Sequence, residues 1–147
     1  EISAVGSCLV NPNLQEESGI PDVDTAVVTM KLANGAIATI NNSRQAVYGY
    51  DQRVEVFGSK GMAADQNDLN STATITTVDG AVSEKPKWFF LERYNDAFIE
   101  QIKYFIDSIV NDKPTVVGAY DGLRPVLMAA AATESCRNGG VWVKVAE

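Results

Sequence analysis

The sequence predicts an α+β fold: an open-faced, predominantly antiparallel β-sheet with two main helices on one face. Three observations predict it. The first 84 residues hold about seven short alternating or β-branched runs joined by tight turns, the pattern of an antiparallel meander. After Leu91 the apolar spacing changes to three and four, through Tyr94, Phe98, Ile102, Phe105, Ile106 and Ile109, which is a helical period. A second helical stretch, Leu123 to Arg137, lies between Asp121 and the pair Gly139-Gly140.

Taken in order, Ile2 to Val10 reads as a strand of small residues. Asn11 to Asp24 is a polar loop marked by proline and glycine, and a loop that long is either functional or mobile. Thr25 to Leu32 and Ala36 to Asn42 alternate on either side of Asn34-Gly35. That dipeptide predicts a hairpin with a type I′ turn. Gln52 to Phe57, the Ser59-Lys60-Gly61 turn and Met62 to Asp65 make a second hairpin. Thr72 to Val78 is β-branched almost throughout and returns through Asp79-Gly80 into Ala81 to Glu84. The helix from Leu91 ends before Pro114, and Lys103 with Asp107 forms an outer-face pair four residues apart. Asp121 is the expected N-cap of the second helix, with Pro125 in its first turn and small residues at Met128 to Ala132 for close packing. Val141 to Val145 closes the fold as a short strand.

Bulk properties narrow the function. At 147 residues the chain is one domain's worth, 1–147, with 46% hydrophobic and 21% charged residues, the profile of a globular protein. Twelve basic against nineteen acidic residues give −7 with no basic cluster, which argues against nucleic acid and anionic membranes as partners. No apolar run approaches the roughly 20 residues of a membrane span. Cys8 and Cys136 stand far apart in the chain, as two buried free thiols in a reducing cytoplasm would. There is no histidine, so neither a zinc site nor the commonest general acid/base is expected. The chain starts at Glu1 inside an apolar alternation, which suggests a piece of a larger protein whose chemistry lies elsewhere.

One stretch is chemically distinctive: Asn41 to Gly61, in which Tyr48-Gly49-Tyr50 crosses between strands with Arg44, Asp51 and Arg53 close by. A tyrosine offers an apolar ring and a hydroxyl, which suits the wall of a site for a polyhydroxylated ligand. The same residues also suit a tyrosine-rich corner that packs the sheet.

These residues carry a family resemblance. Asp24 to Ala36, Ile40 to Arg44, Tyr48-Gly-Tyr-Asp-Gln-Arg-Val-Glu-Val-Phe-Gly-Ser-Lys-Gly61 and Phe89 to Tyr94 match it, with Asn111 to Pro114 and Asp121 to Arg124. Over nearly its whole length the chain resembles the C-terminal domain of the glucose-fructose oxidoreductase/inositol dehydrogenase/rhizopine-catabolism family. The Val-x-Val-Phe-Gly-Ser-Lys-Gly piece is general to that family, and Tyr-Gly-Tyr-Asp-Gln-Arg points to inositol. The resemblance implies oxidation of a ring secondary alcohol of inositol to the ketone, with hydride transfer to NAD. It also implies an N-terminal Rossmann domain for the dinucleotide, outside this chain, and a C-terminal sheet that walls the substrate site and builds a tetramer. The family's catalytic lysine and its Asp-x-x-x-His pair lie upstream of the matched region. No catalytic, cofactor-binding or metal-binding residue is therefore expected here, and the chain alone is expected to be inactive.

By the same resemblance Tyr50 and Tyr94 face the substrate, and Tyr48 is a further candidate. Arg44 either touches substrate or anchors the crossing through a salt link to Asp51, the option preferred here. Glu84-Lys85-Pro86 repeats the letters of the family's catalytic motif in the wrong domain, so Lys85 is read as a surface lysine. A homo-oligomer would use the sheet face carrying Thr29, Lys31, Thr39 and Asn41. Three other readings stand beside this one: a β-sheet module whose only activity is self-association, a non-catalytic sugar-binding module, and a family member acting on another polyol or sugar.

Overall fold

Strands β1 (Ile2–Ser7), β2 (Thr25–Lys31) and β3 (Ile37–Ser43) form an antiparallel sheet in the order β1-β2-β3. This is seen in a computed structural model that describes residues 1–146. The turn between β2 and β3 falls at Asn34-Gly35, but it is not type I′. Among the described residues Gly35 takes a positive φ of 87° and Asn34 does not. The Gly35 N–H donates to the Leu32 carbonyl and the Leu32 N–H to the Ala36 carbonyl, closing a three-residue loop with its left-handed position at glycine. Asn34 keeps its ordinary backbone because its side chain accepts the Ala36 N–H at 3.0 Å.

The pairing register sorts the two sheet faces. Ile2, Met30 and Ala38 share one row, and Ala4, Val28 and Ile40 the next. Ile2, Ala4 and Met30 are buried, and the helix that covers them is α4 (Ala119–Arg137), through Met128, Ala131 and Ala132. Small side chains on this helix let it lie close, as the sequence predicts. Each large apolar side chain buried here is worth about 1.5–3 kcal/mol. Ser135, fully buried, ties the layers together: its Oγ accepts the Ala4 N–H at 2.9 Å and donates to the Val141 carbonyl at 2.5 Å. The expected closing strand shrinks to one bridge, Ile2 to Val143, with both N–H···O bonds at 2.8 Å. The opposite face carries Val5, Val27 and Asn41 in one row and Ser3, Thr29 and Thr39 in another, with Lys31 beside Ile37. On that face Ile37 is 72% and Val5 57% exposed, and Lys31 Nζ lies 4.1 Å over the Trp142 ring.

Two helical boundaries move. α4 begins at Ala119 rather than Leu123, because Gly118 is its N-cap. Asp121 sits three places in and accepts the Gly118 N–H at 2.8 Å, the acidic half of a capping box rather than the cap. Pro125 therefore falls inside the helix. The Asn11–Asp24 loop contains a one-turn helix, α1 (Leu14–Ser18), and Asp24 closes it. The buried Asp24 carboxylate accepts the backbone N–H groups of Leu9, Val10 and Asn11 at 2.8, 2.9 and 2.7 Å and the Thr25 hydroxyl at 2.9 Å. Burial opposes its ionisation, but these four donors outweigh burial and hold its pKa below the ordinary carboxylate value.

All of this belongs to one of two compact units, Glu1–Gln45 together with the stretch from Val116; the other is Ala46–Thr115. In the second unit β4 (Val54–Gly58) pairs with β5 (Gly61–Asp65), and β6 (Thr74–Thr77) with β7 (Gly80–Ser83). Among the described residues the seven expected strands are present, but they pair as three separate antiparallel sheets instead of one meander. The helix predicted from Leu91 is divided into α2 (Phe90–Arg93) and α3 (Asn95–Val110). Between them Tyr94, with φ −106° and ψ 10°, lies outside helical geometry. Lys103 pairs with Glu100 at 2.6 Å rather than with Asp107, which instead receives Lys113 at 3.2 Å and the Asn111 side chain. In this unit the apolar side chains of both hairpins and of α3 are largely exposed, with Phe57 at 82%.

Candidate substrate-facing wall

The crossing Ala46 to Arg53 is held by its backbone before any side chain acts. Gly49 is buried at φ 142°, and a Cβ there would stand 2.7 Å from the Pro86 carbonyl oxygen. Only glycine lets the chain lie that close. The next N–H, of Tyr50, donates to the Lys87 carbonyl at 2.8 Å, so the crossing is laid along the Pro86-Lys87 segment. A bridge between Leu69 and Pro86 and a 2.9 Å bond from the Lys87 N–H to the Asp68 carbonyl fix that segment in turn.

This seating brings Tyr50 and Tyr94 together, two of the four residues singled out in the sequence. Their rings meet edge to face, with centroids 5.7 Å apart and planes at 83°, and Phe98 extends the cluster behind Tyr94 at 6.2 Å. Such a pair is worth about 0.5–1.5 kcal/mol beyond its buried area. It is an aromatic wall carrying two hydroxyls. Burial, followed by the neighbouring Tyr50 hydroxyl, pushes the Tyr94 pKa up. Tyr94 is thus a neutral hydrogen-bonding group rather than a base at ordinary pH.

The other two residues are placed differently. The Tyr48 hydroxyl donates to Asp51, and that bond pushes the Tyr48 pKa up. Asp51 is the hub of the crossing: it also receives Arg53 Nε at 2.7 Å, Arg53 Nη2 at 2.8 Å and Asn67 Nδ2 at 2.8 Å. The forked Arg53 bonds, then Tyr48 and Asn67, hold its pKa well below the usual carboxylate range. The salt link expected from Arg44 to Asp51 is not formed. Arg53, two residues away along the chain, occupies Asp51, and Arg44 pairs instead with Asp22 at 3.7 Å. Both partners of that pair are exposed, which makes it a weak contact. Lys85 is exposed, as expected.

Sequence reasoning missed Asp68, Lys87 and Asn67, which brace the crossing. Asp68 and Lys87 stand 19 residues apart, so no local pattern marks them. Nor do the described residues fit a dinucleotide: every pairing among the named strands is antiparallel, leaving no strand–glycine turn–helix unit to seat a pyrophosphate.

Comparison with known proteins shows the family. The family model described as "Oxidoreductase family, C-terminal alpha/beta domain" matches residues 4–145. The chain is 48% identical over 139 residues to the uncharacterized oxidoreductase YrbE of Bacillus subtilis, covering 95% of this chain and 40% of that protein. It is 42% identical over 135 residues to myo-inositol 2-dehydrogenase of Thermotoga maritima, covering 92% and 40%. Among solved structures, a myo-inositol dehydrogenase from Corynebacterium glutamicum superposes with a TM-score of 0.86 at 32% identity, over 99% of this chain and 43% of that one. The scyllo-inositol dehydrogenase of Lactobacillus casei, solved with NAD(H) and scyllo-inositol, gives 0.83 at 26% identity over 95% and 40%. The chain thus spans about 40% of the length of the curated relatives it matches. It belongs to the glucose-fructose oxidoreductase/inositol dehydrogenase/rhizopine-catabolism family of oxidoreductases, of which it is the C-terminal alpha/beta domain.

Proposed function

We propose that this chain is the substrate-walling and assembly part of an NAD-dependent oxidoreductase that oxidises a ring secondary alcohol of inositol to the ketone. The similarity to inositol dehydrogenases over more than nine-tenths of the chain supports the substrate class. The observation that carries the local role is the Tyr50–Tyr94 pair, two hydroxyls on one edge-to-face aromatic wall. Polyol recognition needs such fixed partners, because a misplaced ring hydroxyl then leaves a polar group unpaired. Tyr48 and Arg44 take supporting places, since each already has a carboxylate partner. NAD is held by a Rossmann domain N-terminal to these residues, where the hydride acceptor and the base for the hydroxyl proton also reside.

Assembly uses the uncovered face of the three-stranded sheet. Val5, Val27 and Ile37 supply apolar area there, and Ser3, Thr29, Lys31, Thr39 and Asn41 a polar frame, which suits a second copy in an isologous contact and a tetramer overall. The two free cysteines, half-buried rather than buried as expected, fit a cytoplasmic setting.

The test uses the full-length gene product. With NAD it should reduce the cofactor in the presence of an inositol, whereas residues 1–147 alone should form no NADH. Tyr50→Phe should raise KM for inositol or lower kcat by about three- to tenfold, one neutral hydrogen bond's worth. Failure of the full-length protein to oxidise any inositol overturns the function, and unchanged Tyr50→Phe kinetics return Tyr50 to a packing role.

A further inference from the structure

Asp68 stands between the two segments that carry the tyrosine pair. Its carboxylate accepts from Arg93 Nη1 at 3.0 Å and pairs with Lys87 Nζ at 3.5 Å. Its backbone carbonyl accepts the Lys87 N–H at 2.9 Å, and the Lys87 carbonyl accepts the Tyr50 N–H at 2.8 Å. Arg93 immediately precedes Tyr94, and its guanidinium carbon lies 5.9 Å from the centroid of the Tyr94 ring. One aspartate therefore grips the backbone on which Tyr50 is hung and the cation set against Tyr94.

The grip is more than a surface ion pair. The Arg93 side chain is only 16% exposed, and its Nε is buried without a partner among the described residues. A guanidinium enclosed to that degree depends on its carboxylates, because solvent screens and replaces them poorly. Asp65 is 71% exposed and reaches Arg93 only at 3.4 Å, so Asp68 is the principal anchor. Lys87 meets Tyr50 through its carbonyl, and Arg93 directly precedes Tyr94.

We infer that Asp68 is a positioning residue, which sets the spacing and edge-to-face angle of Tyr50 and Tyr94 through Lys87 and Arg93. It acts on substrate recognition without touching substrate. This rests on the reading of the tyrosine pair as the substrate wall. Removing the charge loosens the wall's geometry while leaving the dinucleotide site, which these residues do not build, unaffected.

The experiment compares Asp68→Asn, Asp68→Glu, Tyr50→Phe and Lys85→Ala in the full-length protein, measuring KM for inositol and for NAD separately, with kcat and thermal stability. Asp68→Asn should raise the inositol KM about tenfold, the equivalent of one charge-assisted hydrogen bond, with the NAD KM unchanged. Asp68→Glu should recover part of that loss, and Lys85→Ala should match the parent. Should Asp68→Asn fail to fold, Arg93→Lys carries the same test, because it keeps the charge and loses the fork. Unchanged kinetics in Tyr50→Phe would sink the substrate wall itself. A response in Tyr50→Phe with none in Asp68→Asn or Arg93→Lys would overturn the positioning role alone. So would a rise in both KM values that merely follows lost stability.

Discussion

Gly49 and Gly80 make a matched pair for testing how the crossing is held. Their φ values are 142° and 137°, so an alanine at either bears nearly the same backbone strain, about 1–3 kcal/mol. Their surroundings differ completely. At Gly80 nothing lies within 4 Å of an added Cβ. At Gly49 that atom would meet the Pro86 carbonyl oxygen at 2.7 Å, Pro86 Cβ at 2.9 Å and the Lys87 carbonyl oxygen at 3.2 Å. Two of these are backbone atoms that cannot swing aside, so the collision adds about 1–3 kcal/mol of overpacking on top of the strain. Gly49→Ala should therefore cost about 2–6 kcal/mol and Gly80→Ala about 1–3 kcal/mol. Urea midpoints read from tyrosine and tryptophan fluorescence measure the difference. If the full-length protein oxidises inositol as proposed, Gly49→Ala should also raise its inositol KM, since the Tyr50 N–H bond to Lys87 is strained with it, while Gly80→Ala leaves KM alone. Equal destabilisation by the two substitutions would refute the reasoning, showing that the crossing is not seated on Pro86.

Two further outcomes follow from buried polar groups in the other unit. Ser135→Ala leaves the Ala4 N–H without its acceptor in a buried position, and should cost about 1–3 kcal/mol in denaturant unfolding; the loss should be smaller for Ser135→Thr if the hydroxyl is what matters. Asp24 has a folded pKa below its unfolded value of 3.8, so the unfolded state takes up the proton first. Its stabilising effect is complete above that value and is lost as pH falls through the lower folded pKa. Asp24→Asn should therefore be less stable than the parent at neutral pH, with the gap narrowing in acid, as followed by unfolding midpoints at several pH values.

Much of the fold was legible because it is written in local periodicity. The β-branched runs at Thr25–Lys31 and Thr74–Thr77 and the three-four spacing of α3 need no distant information. Glycine and proline located the turns, yet they did not settle the turn type at Asn34, where a side-chain bond to the Ala36 N–H decided the conformation. The start of α4 was displaced because aspartate serves equally at the cap and three places inside it. In the candidate site the tyrosines were legible as chemistry, and their partners were not. Asp51 chose Arg53 over Arg44 on proximity along the chain, and Asp68 meets Arg93 across 25 residues that carry no common signal. Ion-pair partners depend on tertiary geometry, which a linear pattern of charges does not encode.

The bridge between Ile2 and Val143 also orders events during synthesis. The sheet β1-β2-β3 is complete once Ser43 has been made, but the helix and segment that cover Ile2 and Met30 arrive as much as 100 residues later. At about 5–20 residues per second the apolar face waits roughly 5–20 s before it can be closed. Throughout that interval the nascent chain presents an uncovered sheet, the kind of surface on which chaperones act. The stretch Ala46–Thr115, by contrast, has left the ribosome's active site before the first residue of α4 is added. The half of the chain that begins first is thus the half that closes last.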